Sequence, residues 1–89
     1  MTLEERWRLF SKRDQIGNIA SELFRAQGAA NDANVKIMLE RALELADLSL
    51  ADPRWRDDIY MMLIFRNKIA ELYSEDASSE KIEQLCAIL

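Results

Sequence analysis

Apolar residues recur along the chain at helical spacing, and polar punctuation divides them into five segments. Thr2 and Glu5 form a T-x-x-E capping box, which predicts a short first helix to about Phe10. Ser11 is placed to cap a second helix, whose Ile16, Ile19, Ala20, Leu23 and Phe24 follow the spacing of one apolar stripe. Gly28 is a natural stop, and Ala29 to Asn34 reads as a connection in which Asn31 or Asp32 caps the next helix. A long third helix is predicted to about Leu50, with Val35, Met38, Leu39, Ala42, Leu43, Ala46 and Leu50 on one wide face. Asp52-Pro53 then reads as an N-cap/N1 pair, opening a fourth helix between Pro53 and Asp57 that ends near Tyr73. After a polar break at Ser74 to Ser79, Ser78 or Ser79 caps a last short helix bearing Ile82, Leu85, Cys86 and Leu89. Short connections reverse neighbouring helices. Residues 1–89 are therefore expected to form one all-α domain, a small antiparallel bundle of three main helices with a short helix at each end.

Three places carry more apolar surface than a single stripe requires. On the third helix, Ile37 and Leu48 lie away from the main face yet within about 20° of each other at 100° per residue. On the fourth, Ile59 through Phe65 is apolar all round, which suits a helix central to its bundle or buried in an oligomer. Met61 and Met62 add flexible thioethers suited to adaptable contacts. On the second helix, Gly17-x-x-x-Ser21 is a small-xxx-small pair that permits close backbone approach, although Gly17 can equally be a tolerated glycine. In so short a chain these features favour self-association through Gly17, Ser21, Ile37, Leu48, Met61, Ile64 and Phe65, a homodimer or a contact with another protein. Arg66 falls on the face that should be buried, beside Met62, Ile69 and Tyr73. A buried guanidinium needs a carboxylate or must reach out to water. Glu22, Glu44 and Asp47 are its candidate partners in a polar clasp; the other reading is an anion-binding Arg inside a helical pocket.

Composition narrows the picture further. The chain has two Gly, one Pro, one Val and one Thr against twelve Leu, eleven Ala and eight Ile, which excludes folds built on turn-rich β-branched strands. There is no His, so the usual general base and the commonest zinc ligand are missing. One cysteine, Cys86, allows neither a disulfide framework nor a thiolate cluster and fits a reducing, cytoplasmic setting. The net charge of −4 and the pI of about 4.8 oppose non-specific nucleic-acid binding. The local cluster of Arg6, Arg8, Lys12 and Arg13 reads as a solvated face. Trp7 and Trp55, flanked by arginines, read as anchors closing the ends of the bundle, with their N–H groups at its wet boundary, rather than as base-stacking residues. The longest apolar run falls well short of the roughly 20 residues a membrane span needs, and the amino end lacks the apolar stretch of a secretory leader.

Catalysis finds little support. Glu44 to Asp47 matches the E-x-x-D piece of all-α nucleoside-triphosphate pyrophosphatases of the MazG group, whose companion E-x-x-E is missing here. A divergent Mg²⁺-dependent enzyme of that kind would use Glu22, Glu40, Glu44 and Asp47. Ser11, Ser21 and Ser49 have no His to activate them. No catalytic residue, metal site or cofactor is expected, and a non-enzymatic interaction or adaptor module is the leading reading.

Two segments, Gln15-Ile16-Gly17-Asn18-Ile19-Ala20-Ser21-Glu22 and Arg41-Ala42-Leu43-Glu44-Leu45-Ala46-Asp47-Leu48 with Ala51-Asp52-Pro53-Arg54-Trp55, resemble a group of short bacterial all-helical proteins. Their motif resembles L-G-N-I-G-S-E followed by R-A-L-E-L-x-D-L and D-P-R-W; Ala20 stands where that pattern has Gly. The resemblance brings no established activity. It implies a bacterial helical protein and marks Asn18, Glu22, Glu44, Asp47, Arg54 and Trp55 as motif positions.

Overall fold

A computed structural model describes residues 1–28, 32–74 and 79–87, and these are all-α with no strand. The helices are α1 (Leu3–Leu9), α2 (Lys12–Gln27), α3 (Asp32–Leu50), a 3-10 helix (Pro53–Asp58), α4 (Ile59–Ser74) and α5 (Ser79–Ala87). Their starts are chemically marked. Thr2 Oγ1 accepts the Glu5 N–H and Ser11 Oγ accepts the Asp14 N–H, each at 3.1 Å, satisfying donors that a helix start leaves open. α3 begins at Asp32, inside the stretch expected to be a connection. The caps expected at Asn31 or Asp32 and at Ser78 or Ser79 lie outside the described residues and side chains, as do Cys86 and Leu89 on the α5 stripe.

The core is one cluster running through all the helices, with Ile19 and Leu23 of α2, Leu39, Ala42 and Ala46 of α3, and Ile82 of α5 fully enclosed. α3 is the shared partner: it packs against α2 and α4 and also meets α1 and the 3-10 helix. α5 lies mainly against α2. Small residues Ala42 and Ala46 on the inner face of α3 let its neighbours approach closely.

Two expectations need correction. The fourth helix does not open as α-helix between Pro53 and Asp57; six residues of 3-10 helix come first. Asp52 is the N-cap, its carboxylate accepts the Arg54 N–H at 3.0 Å, and the Trp55 N–H donates to the Asp52 carbonyl three residues back at 3.0 Å. With three residues per turn, Trp55 and Asp58 stack one above the other. Lys12 of α2 uses that eclipse, lying 4.7 Å from the Trp55 ring centroid while its Nζ pairs with Asp58. The second correction concerns Phe65. It is only 4% exposed and belongs to the core with Met62, Ile69 and Leu72, so it is not part of an outward surface.

Gly17 is exposed, and a Cβ built there meets no neighbouring atom within 4 Å among the described residues. Nothing among the described residues uses its small size. Gly17→Ala should therefore raise the unfolding free energy by about 0.5–1 kcal/mol, the helix-propensity difference alone, measured by urea denaturation. A loss of stability would instead reveal a backbone approaching α2 at this point.

Candidate functional site

Two features stand out: a buried polar cluster where α1, α2, the end of α3 and the 3-10 helix converge, and an open apolar face on α4. The cluster centres on Gln15, which is fully buried. Its Nε2 donates to the Trp7 carbonyl at 3.0 Å and to Asp52 Oδ2 at 3.1 Å, while its Oε1 accepts the Trp55 indole N–H at 2.6 Å. This orientation of the amide is set by chemistry. Reversed, the NH₂ group would face the indole N–H, and two carbonyl-type acceptors would face an oxygen. The Trp7 indole N–H donates to Ser49 Oγ at 3.0 Å, and the Ser49 hydroxyl in turn donates to the Leu45 carbonyl at 3.0 Å. Both tryptophans are thus buried with interior partners at a single junction, a correction to the expectation of indoles at the wet boundary of the bundle.

Asp52 carries the charge in this cluster. Arg54 donates to it through Nη2 at 2.7 Å and through Nε at 3.2 Å, and sends Nη2 onward to the Arg8 carbonyl at 3.0 Å, tying the end of α1 to the 3-10 helix. The guanidinium hydrogen bond of Arg54 holds the Asp52 carboxyl well below the usual range. Burial opposes that shift, while the Arg54 N–H and the Gln15 amide reinforce it. Asp52 in turn raises the Arg54 pKa. Among the described residues, no buried side-chain nitrogen or oxygen of this cluster lacks a hydrogen-bond partner, so the cluster rigidifies the junction.

The polar clasp expected around Arg66 forms in part. Arg66 is a third exposed and donates Nε to Asp47 Oδ1 at 2.9 Å, joining α4 to α3. Glu22 is elsewhere, paired with Arg25 on its own helix at 3.0 Å, and its Oε2 is buried with no hydrogen-bond partner among the described residues. Glu44 lies with Glu40, Asp47, Arg41, Ile37 and Leu48 along an open groove of about 540 Å³ on α3, which Glu22 does not line. Ile37 is exposed there, while Leu48 is half-buried against the core. The acidic cage that a Mg²⁺-dependent enzyme needs is not assembled. Among the described residues, no group of three or more His, Cys, Asp or Glu could hold a metal ion. Base stacking by Trp55 beside Arg54 and Arg56 is likewise unavailable, since the indole is buried under Lys12.

The fourth helix resolves into two faces. Met62, Phe65, Ile69 and Leu72 are buried, whereas Tyr60 is 79% exposed, Met61 56%, Leu63 42% and Ile64 57%. These four large apolar side chains over five positions form a contiguous outward patch. Ser21 on α2 is exposed and donates to the Gly17 carbonyl of its own helix at 3.0 Å.

No family model, curated protein or solved structure matches the chain. The two motif segments nonetheless meet in space: Gln15 from the first contacts Asp52 and Trp55 from the second. Gln15 and Ser49 are the members that pattern reading passed over. Each occupies a stripe position, Gln15 four before Ile19 and Ser49 three after Ala46, where an uncharged polar residue signals an internal hydrogen bond. The unpaired N–H of a buried Trp is the complementary signal.

Gln15→Ala should cost about 2–4 kcal/mol in urea denaturation, because it orphans the Trp55 N–H and removes both donors from Trp7 and Asp52. Gln15→Glu should cost more, as it sets a second carboxylate beside Asp52. Acid should also weaken the fold at this cluster. Native Asp52 binds its proton more weakly than the unfolded chain does, so its stabilisation is full above about pH 4 and fades as pH falls toward the native value. The stability gap between the wild type and Asp52→Asn should hold at neutral pH and narrow below about pH 4.

Proposed function

We propose that this chain is a non-enzymatic interaction module that works through helix-face contacts and associates with a second copy of itself. The carrying observation is the outward patch of Tyr60, Met61, Leu63 and Ile64 on α4, which no other part of the described structure covers. Contiguous apolar surface of this kind marks contact sites on soluble proteins. Ile37 and Leu48, along the acidic groove of α3, are a second candidate face. The packing of α3 against both α2 and α4 supports reading the three as an antiparallel bundle with α1 and α5 at its ends. No helix among the described residues is long and apolar enough to cross a membrane. A lone cysteine supports a reducing, cytoplasmic setting. The motif resemblance supports a bacterial origin.

A photo-crosslinking amino acid at position 60, introduced into the chain in growing cells, should give a discrete adduct of protein size. The same probe in place of exposed Glu83 should give none. Equal, diffuse labelling from both positions would overturn the reading of α4 as a contact face.

A further inference from the structure

Charged residues bracket the α4 patch in a self-complementary way. Asp57 precedes it and Lys68 follows it; both are exposed, and neither has an ion-pair partner among the described residues. Of the charges beside them, Asp58 is engaged by Lys12 and Arg66 by Asp47, while Arg56 and Glu71 are exposed and also have no ion-pair partner among the described residues. On the helical wheel Tyr60, Ile64, Lys68 and Met61 fall within an arc of about 100°. Asp57, on the 3-10 helix, sits one three-residue turn before Tyr60 and therefore on the same side.

Resting on the reading of α4 as a contact face, we infer that the second copy docks with its α4 antiparallel to the first, about a two-fold axis between Met61 and Ile64. Met61 then packs against the partner's Ile64, and the reverse contact follows by symmetry. Lys68 lies about 8 Å along the axis from this midpoint at 1.5 Å per residue. Asp57 lies about 9 Å from it on the other side, allowing about 2.0 Å per residue in the 3-10 segment. Asp57 therefore meets the partner's Lys68 at one end, and Lys68 meets the partner's Asp57 at the other. The Tyr60 ring comes to lie across the partner's Ile64 and the stem of the partner's Lys68, where its face attracts the ammonium. Parallel docking would instead set Asp57 against the partner's Asp57 and Lys68 against the partner's Lys68. The charges thus select the direction and the apolar residues supply the affinity. The three apolar side chains that each copy brings to this contact, Tyr60, Met61 and Ile64, make a patch small beside specific interfaces, which bury upwards of about 1,000 Å², so the dimer is a weak one.

Sedimentation equilibrium of the purified full chain tests this arrangement, with far-UV circular dichroism confirming that each variant is folded. The wild type should pass from monomer to dimer across micromolar concentrations, and Ile64→Glu should remain monomeric. Asp57→Lys and Lys68→Asp should each weaken the dimer by about tenfold or more, since each turns two attractive pairs into two repulsive ones. The double variant D57K/K68D should regain wild-type affinity to within a few-fold. Single reversals without effect, or a double variant that fails to recover, would overturn the antiparallel register. If Ile64→Glu still abolished the dimer in that case, the α4 contact reading would stand without it. A wild type that stays monomeric overturns the self-docking inference outright, and the adduct from position 60 then decides separately whether α4 contacts a different protein.

Discussion

The amide of Gln15 is the point on which the geometry of this chain turns. It is uncharged and fully enclosed, and it offers two donors and one accepting oxygen to three groups, one on α1 and two on the capped 3-10 helix. A buried amide tolerates little displacement, because every angle it loses leaves a desolvated polar atom without a partner. Apolar packing between α2 and α3 would allow small slides along the helix axes. The hydrogen bonds that Gln15 gives to the Trp7 carbonyl and Asp52 and accepts from Trp55 do not.

That constraint propagates to the surface. Trp55 reaches Gln15 only because the chain after Pro53 winds as a tight 3-10 helix, and this winding sets the phase at which α4 begins. The phase decides that Met62, Phe65, Ile69 and Leu72 turn inward while Tyr60, Met61 and Ile64 turn out. The Arg66–Asp47 pair then holds the middle of α4 to α3. A polar contact at one junction thus aims an apolar face two turns further along the chain.

Much of this was legible in the pattern of residues. Thr2, Ser11 and Asp52 cap helices as their side-chain oxygens require, and the stripes on α2 and α3 face the core. Phe65 was not legible, because a helix apolar on every side gives its wheel no contrast by which to choose an inner face. Only the register imposed by Trp55 makes that choice. Gln15 and Ser49 were hidden for the opposite reason: their residue types are at home in water, and only their stripe positions mark them as interior. The acidic residues Glu22, Glu44 and Asp47 illustrate a third limit. Sequence spacing groups them as a cluster, but their actual partners, Arg25 for Glu22 and Arg66 for Asp47, depend on which helices come to lie side by side.

The placement of the aromatic rings gives the molecule two separate optical signals. Both indoles sit in the Gln15 junction, shielded from water and hydrogen-bonded, with Lys12 over the Trp55 ring. Tryptophan emission therefore reports the state of that junction and is indifferent to what happens on the outer side of α4. Tyr60 stands on that outer side, almost fully in solvent, while Tyr73 lies beneath Lys36. Quenching of tyrosine by a dissolved agent falls chiefly on Tyr60 and reads whether that surface is covered. Folding of the junction and occupancy of the face can thus be followed independently in the same unlabelled chain.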